Sequence, residues 1–230
     1  MKKLALTLFS TLLLAGPPMK SSDPFVPQVG QFEINVAVEG EHTDEKLFRA
    51  PILDFNYGVV KDVQITFETA YVTSEVEDEF KNDFDSFELA LKWLFYEGEL
   101  FSLALYPKYK SYPVDSIFNS GETFELSVPL NLALSQNLDL VLNPAYIAPK
   151  EGANHFEFGT YLKFKMDKHS FYTELFMENL SNEDEDVFTL GVVGYSYQFH
   201  ESVAFMISFG KEITSRNQAT VGYSGLQFVF

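Results

Sequence analysis

The stretch Tyr223-Ser224-Gly225-Leu226-Gln227-Phe228-Val229-Phe230 carries Leu226, Phe228 and Phe230 on one parity and Gly225 and Gln227 on the other. Side chains of a β-strand point alternately to its two faces, so this reads as a strand with one ring-bearing apolar face. Chain ends of soluble proteins fray in water, where such rings gain little. A membrane barrel gives them a place, because its last strand closes against its first and turns apolar side chains to lipid.

The other end of the chain agrees. Met1-Lys2-Lys3 precedes an uncharged apolar run from Leu4 to Leu14, followed by Ala15-Gly16-Pro17-Pro18. A basic start, a short apolar run and a helix-breaking exit form the layout of a secretory signal peptide. It is assigned to residues 1–20, with the cut between 15 and 22. The run is too short to cross a bilayer as a helix, which takes roughly 20 residues. No cysteine follows it, so no lipoprotein anchor is expected. Residues 21–30, with Pro24 and Pro27, read as an unstructured lead-in, and residues 31–230 as one barrel domain. In an exported chain the aromatic ending resembles the signal read by the barrel-assembly machinery, with Gly225, Phe228 and Phe230 at its preferred positions. Tyr223 stands where a more polar residue is usual.

Composition narrows the function classes. The formal charge is −17, from 33 acidic and 16 basic residues, which disfavours a nucleic-acid partner because phosphate binding draws on Lys and Arg. There is no cysteine, which removes thiol catalysis and thiolate metal sites. The chain is 46% hydrophobic with 24 Phe and 12 Tyr, too apolar for disorder. Rings turned to lipid and charges turned to a lumen reconcile the two properties.

Alternation continues from Phe32 onward with no helical period. Clear runs are Phe32-Glu33-Ile34-Asn35-Val36, Val63-Gln64-Ile65-Thr66-Phe67-Glu68, Phe87-Glu88-Leu89-Ala90-Leu91-Lys92-Trp93 and Phe156-Glu157-Phe158-Gly159-Thr160-Tyr161. Twelve strands are expected, beginning near Gln31, Phe48, Asp62, Ser86, Leu100, Glu122, Leu138, His155, Ser170, Val187, Ser202 and Ala219. Connections after even strands are tight, such as Val60-Lys61 and His200-Glu201. Those after odd strands read as longer and polar, such as Val72 to Asp85 and Asn179 to Asp186. Short periplasmic turns alternating with longer outer loops mark an all-β, antiparallel up-and-down transmembrane barrel.

Several stretches taken together resemble the outer-membrane transporter family labelled "meta-pathway of phenol degradation". They are Leu53-Asp54-Phe55-Asn56-Tyr57-Gly58-Val59 leading into Val63-Gln64-Ile65-Thr66, and Phe87 to Phe95. Leu103-Ala104-Leu105-Tyr106-Pro107-Lys108 and Gly194-Tyr195-Ser196-Tyr197-Gln198-Phe199-His200 continue the series in order. The family commonly ends its fifth strand on a Pro-Thr-Gly-like motif, where this chain has Ser111-Tyr112-Pro113-Val114-Asp115. The resemblance implies a β-barrel with a transport role and supplies no substrate.

The polar face of the strands assembles the candidate lumen. Glu33, Glu68, Glu88, Glu125 and Glu157 share it with Lys92, Lys108, Lys110, Lys163 and Lys165, and rings of charge set pore selectivity. The alternative is a salt-bridged filling that closes the lumen. No long amino-terminal plug sequence is read. His42, His155, His169 and His200 fall at strand ends or turns and not beside a serine and a carboxylate, which argues against a lipid hydrolase. Acidic clusters at Glu75, Glu77, Asp78, Glu79, Asp83 and Asp85, and at Glu183 to Asp186, lack calcium-loop spacing. They read as solvated loops bridging to lipopolysaccharide through divalent ions. The expectation is therefore a monomeric outer-membrane channel without cofactor or metal, passing an unidentified small solute. A closed structural or adhesive barrel is the alternative.

Overall fold

Alternating residues build strands, and the strands close on themselves. The computed structural model describes residues 18–43, 46–76, 79–112, 121–179, 187–214 and 218–230. The strands are β1 (Phe32–His42), β2 (Lys46–Val60), β3 (Val63–Val76), β4 (Glu79–Glu97), β5 (Phe101–Ser111), β6 (Glu122–Ser127) and β7 (Leu130–Ser135). They continue as β8 (Leu138–Pro149), β9 (His155–Met166), β10 (His169–Glu178), β11 (Phe188–His200), β12 (Val203–Glu212) and β13 (Thr220–Val229). Each pairs antiparallel with its neighbours in the wall, β6 and β7 both lying between β5 and β8, and β1 pairs with β13 to seal the barrel.

β6 and β7 are two halves of one stave. Pro129 sits between them and has no N–H to give the ladder. The stave still holds across the gap, through Ala104 N–H to Pro129 O at 3.0 Å and Val128 N–H to Pro144 O at 3.0 Å. The wall is thus twelve-stranded, as the alternation predicts.

The expected strand starts fall within two residues of the observed ones except the fourth. β3 and β4 run on as a hairpin, pairing Tyr71 with Phe84 and Ser74 with Lys81, so most of the expected Val72–Asp85 loop is strand. Glu75 lies on β3 and pairs with Lys46 at 3.1 Å, and Asp85 turns inward. Residues 1–17 of the expected signal peptide, Glu77, Asp78 and the cluster Glu183 to Asp186 lie outside the described residues.

Outside, the wall carries Phe55, Phe67, Leu89, Leu91, Trp93 and Phe209, all exposed. At the rim of tight turns, Phe32 stacks on Tyr57 at 4.4 Å, Tyr96 on Phe101 at 4.5 Å and Phe228 lies parallel to Phe230 at 6.4 Å. Aromatic girdles of this kind mark membrane–water boundaries.

Candidate functional site

Every residue proposed for the lumen points into it. Glu33, Lys92 and Lys163 are buried on the inner face, and Glu68, Glu88, Lys108 and Lys110 line its cavity. They do not form one ring. Lys108 pairs with Glu125 at 3.2 Å, His155 approaches Glu157 at 3.4 Å, and Lys165 pairs with Asp139 at 2.6 Å. Lys163 stands 5.6 Å from the Tyr172 ring.

The strand register aligns a belt across β13 to β5. Gln227 opposes Asn35, Asn35 opposes Asp54, Asp54 opposes Glu68, Glu68 opposes Glu88, and Glu88 opposes Lys110. Asn35 and Asn56 each donate to Asp54, at 2.8 and 2.9 Å. Gln64 and Thr66 extend this ladder from Asn56. The lumen therefore has two unlike halves. Around the open cavity β1 to β5 supply the charged wall, while Val141, Tyr161, Tyr172, Phe176, Leu190, Val192 and Val221 make an apolar patch opposite, even though Asp139, Lys163 and Glu174 add charge elsewhere in the lumen.

The lead-in occupies the space between. Residues 18–31 adopt no helix or strand, yet they are not loose. Met19 buries against the apolar patch, and Ser21, Asp23 and Pro24 are fully enclosed. Glu174 accepts hydrogen bonds from the backbone N–H of Lys20 at 2.9 Å and of Ser21 at 2.8 Å. The Lys20 ammonium meets Glu39 at 3.0 Å, and Glu39 also takes Arg49 at 2.9 Å. Arg49 bonds Asp85 at 3.0 Å through Nε. Lower down, Lys92 donates to the Phe25 carbonyl at 3.5 Å. Burial pushes the Asp23 carboxyl above the usual carboxylate range, and the Lys92 ammonium acts against that shift. A short plug thus exists where none was expected, because its contacts are backbone and single side chains rather than a periodic pattern.

Three wall glycines make its seat. A Cβ on Gly159 would strike the Ser21 side chain, one on Gly194 would strike Met19, and one on Gly58 would lie 2.7 Å from the Pro27 carbonyl oxygen. Glycine within a strand commonly marks such a close approach of another segment. What remains open is a cavity of about 360 Å³ between Met19–Lys20 and the charged wall. A smaller one of about 140 Å³ shares Asp54, Glu68, Glu88 and Lys108 with it.

Sequence reasoning missed Asp54, Asn56, Glu39, Arg49, Asp85 and the plug. Asp54 and Asn56 alternate between Leu53, Phe55 and Tyr57 and were legible by parity. Arg49 and Asp85 were not, since bulges between Arg49 and Ile52 and opposite Thr69–Tyr71 switch the face of the strand.

No family model and no curated protein sequence matches the chain. Solved structures do. The COG4313 outer membrane channel from Pseudomonas putida F1 superposes with a TM-score of 0.74 at 14% identity, covering 90% of this chain and 98% of that one. The chain shares the β-barrel fold of that channel. The KdgM porin gives 0.63 at 13% identity, over 85% of this chain and 99% of its own. The NanC porin gives 0.62 at 10%, over 85% and 98%. This porin-like barrel is thus matched along nearly the full length of all three.

Proposed function

We propose that the protein is a passive channel of the bacterial outer membrane for small molecules. The observation that carries this is the pair of adjoining cavities along β1 to β5, lined by charged side chains and left open beside the plug. Solute passes between residues 19–22 and the wall bearing Asp54, Glu68, Glu88 and Lys108. The barrel is a monomer surrounded by outer-membrane lipid and lipopolysaccharide and is inserted by the assembly machinery through Gly225, Phe228 and Phe230. It is not an enzyme and needs no cofactor. Kinship with the "meta-pathway of phenol degradation" family is supported by the ordered series of strand–turn motifs from Leu53 to His200.

Planar-bilayer recording tests the channel. Small conductance steps are expected from the intact protein. Lys92→Gln with Lys108→Gln removes positive charge from the path, so the reversal potential in a salt gradient should move toward greater cation preference. A correctly folded, heat-modifiable protein that stays silent would overturn the channel and favour the second reading, a closed structural barrel. That reading has its own support in the burial of Met19, Ser21, Asp23 and Pro24 inside the lumen.

The same contacts bear on processing. A cut after Lys20 would discard Met19 and Lys20, with their apolar and ionic contacts. Processing ahead of Pro18 is therefore proposed. The intact mass of protein purified from outer membranes should retain Met19, and a mass beginning at Ser21 or later would refute it.

A further inference from the structure

We propose that the cavity holds a binding subsite for a small primary ammonium, centred on Glu68 and Glu88. This names the solute class of the channel described above and rests on that reading. The two carboxylates are direct cross-strand neighbours, and Asp54 follows Glu68 on the next strand. Like charges placed opposite one another on adjacent strands destabilise a sheet. Asp54 is answered by Asn35 and Asn56, but among the described residues neither Glu68 nor Glu88 takes a hydrogen bond or an ion pair. Lys108 and Lys110 line the same cavity, Lys110 directly across from Glu88, but neither closes an ion pair with Glu68 or Glu88. Lys108 pairs with Glu125 and Lys110 lies 5.4 Å from the Tyr112 ring, while Arg49 and Lys20 are held by Glu39 and Asp85.

A second observation is independent of the acidic pair. Asn35 lines the same cavity, is 1% exposed, and has no partner for its Oδ1 among the described residues. The buried hydroxyl of Tyr223 in that cavity is likewise unpartnered. Two carboxylates and an amide oxygen are acceptors, and the hydroxyl also accepts. An –NH₃⁺ group supplies three donors and no acceptor, so it bridges the neighbouring Glu68 and Glu88, while Asn35, two strands from Glu68, offers the next acceptor along the row. Among the described residues no acidic or histidine side chains converge as metal ligands. They form a row about 5 Å apart, at the spacing of adjacent strands. Leu190, Val192 and Val221 on the facing wall receive a short apolar body. A compact alkylamine satisfies both walls.

Titration calorimetry of the full barrel in detergent with n-butylammonium, tetramethylammonium and butyrate tests this. Butylammonium is expected to bind, with affinity reduced at least several-fold in Glu68→Gln and in Glu88→Gln. Tetramethylammonium, which has the charge without N–H donors, should bind more weakly. Gel heat-modifiability confirms folding of each variant, and removing a like charge gives no reason for misfolding. In bilayers butylammonium should reduce conductance of the wild type more than of the variants. Binding that is absent, unchanged in both variants, equal for tetramethylammonium or stronger for butyrate would overturn the subsite. Butylammonium binding in a barrel that never conducts would instead sink the channel and leave the subsite standing.

Discussion

Replacing Gly159 by valine is expected to raise single-channel conductance several-fold. The glycine faces the lumen from β9, and even one added carbon would meet Ser21, with the Ser21 Cβ at 2.9 Å and the Phe176 ring at 3.2 Å. Ser21 has little freedom to retreat, since its N–H is bonded to Glu174. Such bonds to a charged acceptor contribute about 1.5–3 kcal/mol each, and burial of Met19 contributes a comparable amount. Losing Ser21 from its seat puts the neighbouring Lys20 bond and the Met19 contact at risk together. The strand itself suits valine, and in the wall the Phe176 ring must give by a few tenths of an ångström. A second experiment separates a displaced plug from a distorted wall. In the milder Gly159→Ala variant, Ser21→Gly restores the missing space and should return conductance toward the wild-type level. Additive effects of the two changes, or unchanged conductance in Gly159→Val, would show that the segment does not limit the pathway.

Deletion of Phe230 is expected to remove nearly all assembled barrel from the outer membrane. Phe230 and Phe32 exchange both backbone bonds at the seam, at 2.9 and 3.1 Å. Backbone groups left unpaired in a bilayer cost several kcal/mol each. The ring is 71% exposed, so it contributes to the lipid-facing girdle and not to a core. Phe230→Leu keeps the seam and loses the ring, which divides the structural role from recognition by the assembly machinery. If the leucine variant accumulates normally and the deletion does not, the backbone seam dominates. Heat-modifiable mobility of outer-membrane fractions provides the measurement, and wild-type levels of the deleted form would defeat both roles. Gly225 belongs to the same strand for a different reason. It faces inward, where a Cβ would crowd the Tyr223 hydroxyl and Ala37.

Much of this barrel is legible before any coordinates, because a period of two leaves few choices once rings face lipid. The register follows from that parity, and with it the inward placement of Glu33, Glu68, Glu88, Lys92, Lys108 and Lys110. Reading fails wherever parity is interrupted. Arg49 and Asp85 reach one another only because each strand slips a residue near them, and a bulge leaves no mark in an alternation count. The β3–β4 hairpin was hidden by its acidic residues, which read as loop yet pair across strands. The plug was hidden most fully, since its prolines and serines carry no period. Its one advance signal lay elsewhere, in lumen-facing glycines such as Gly159 and Gly194, whose tightest neighbours are Ser21 and Met19.

The glycine seat separates what closes the pathway from what spans the membrane. Strands must satisfy lipid, register and seam at once, so most of their positions are doubly constrained. Residues 18–28 answer to three gaps in the wall, to Glu174, Glu39 and Lys92, and to the apolar patch. Changes of size or charge there alter the bore without disturbing a single ladder bond. The least regular stretch of the chain is therefore where new permeability can evolve, or be engineered, at the smallest cost to folding.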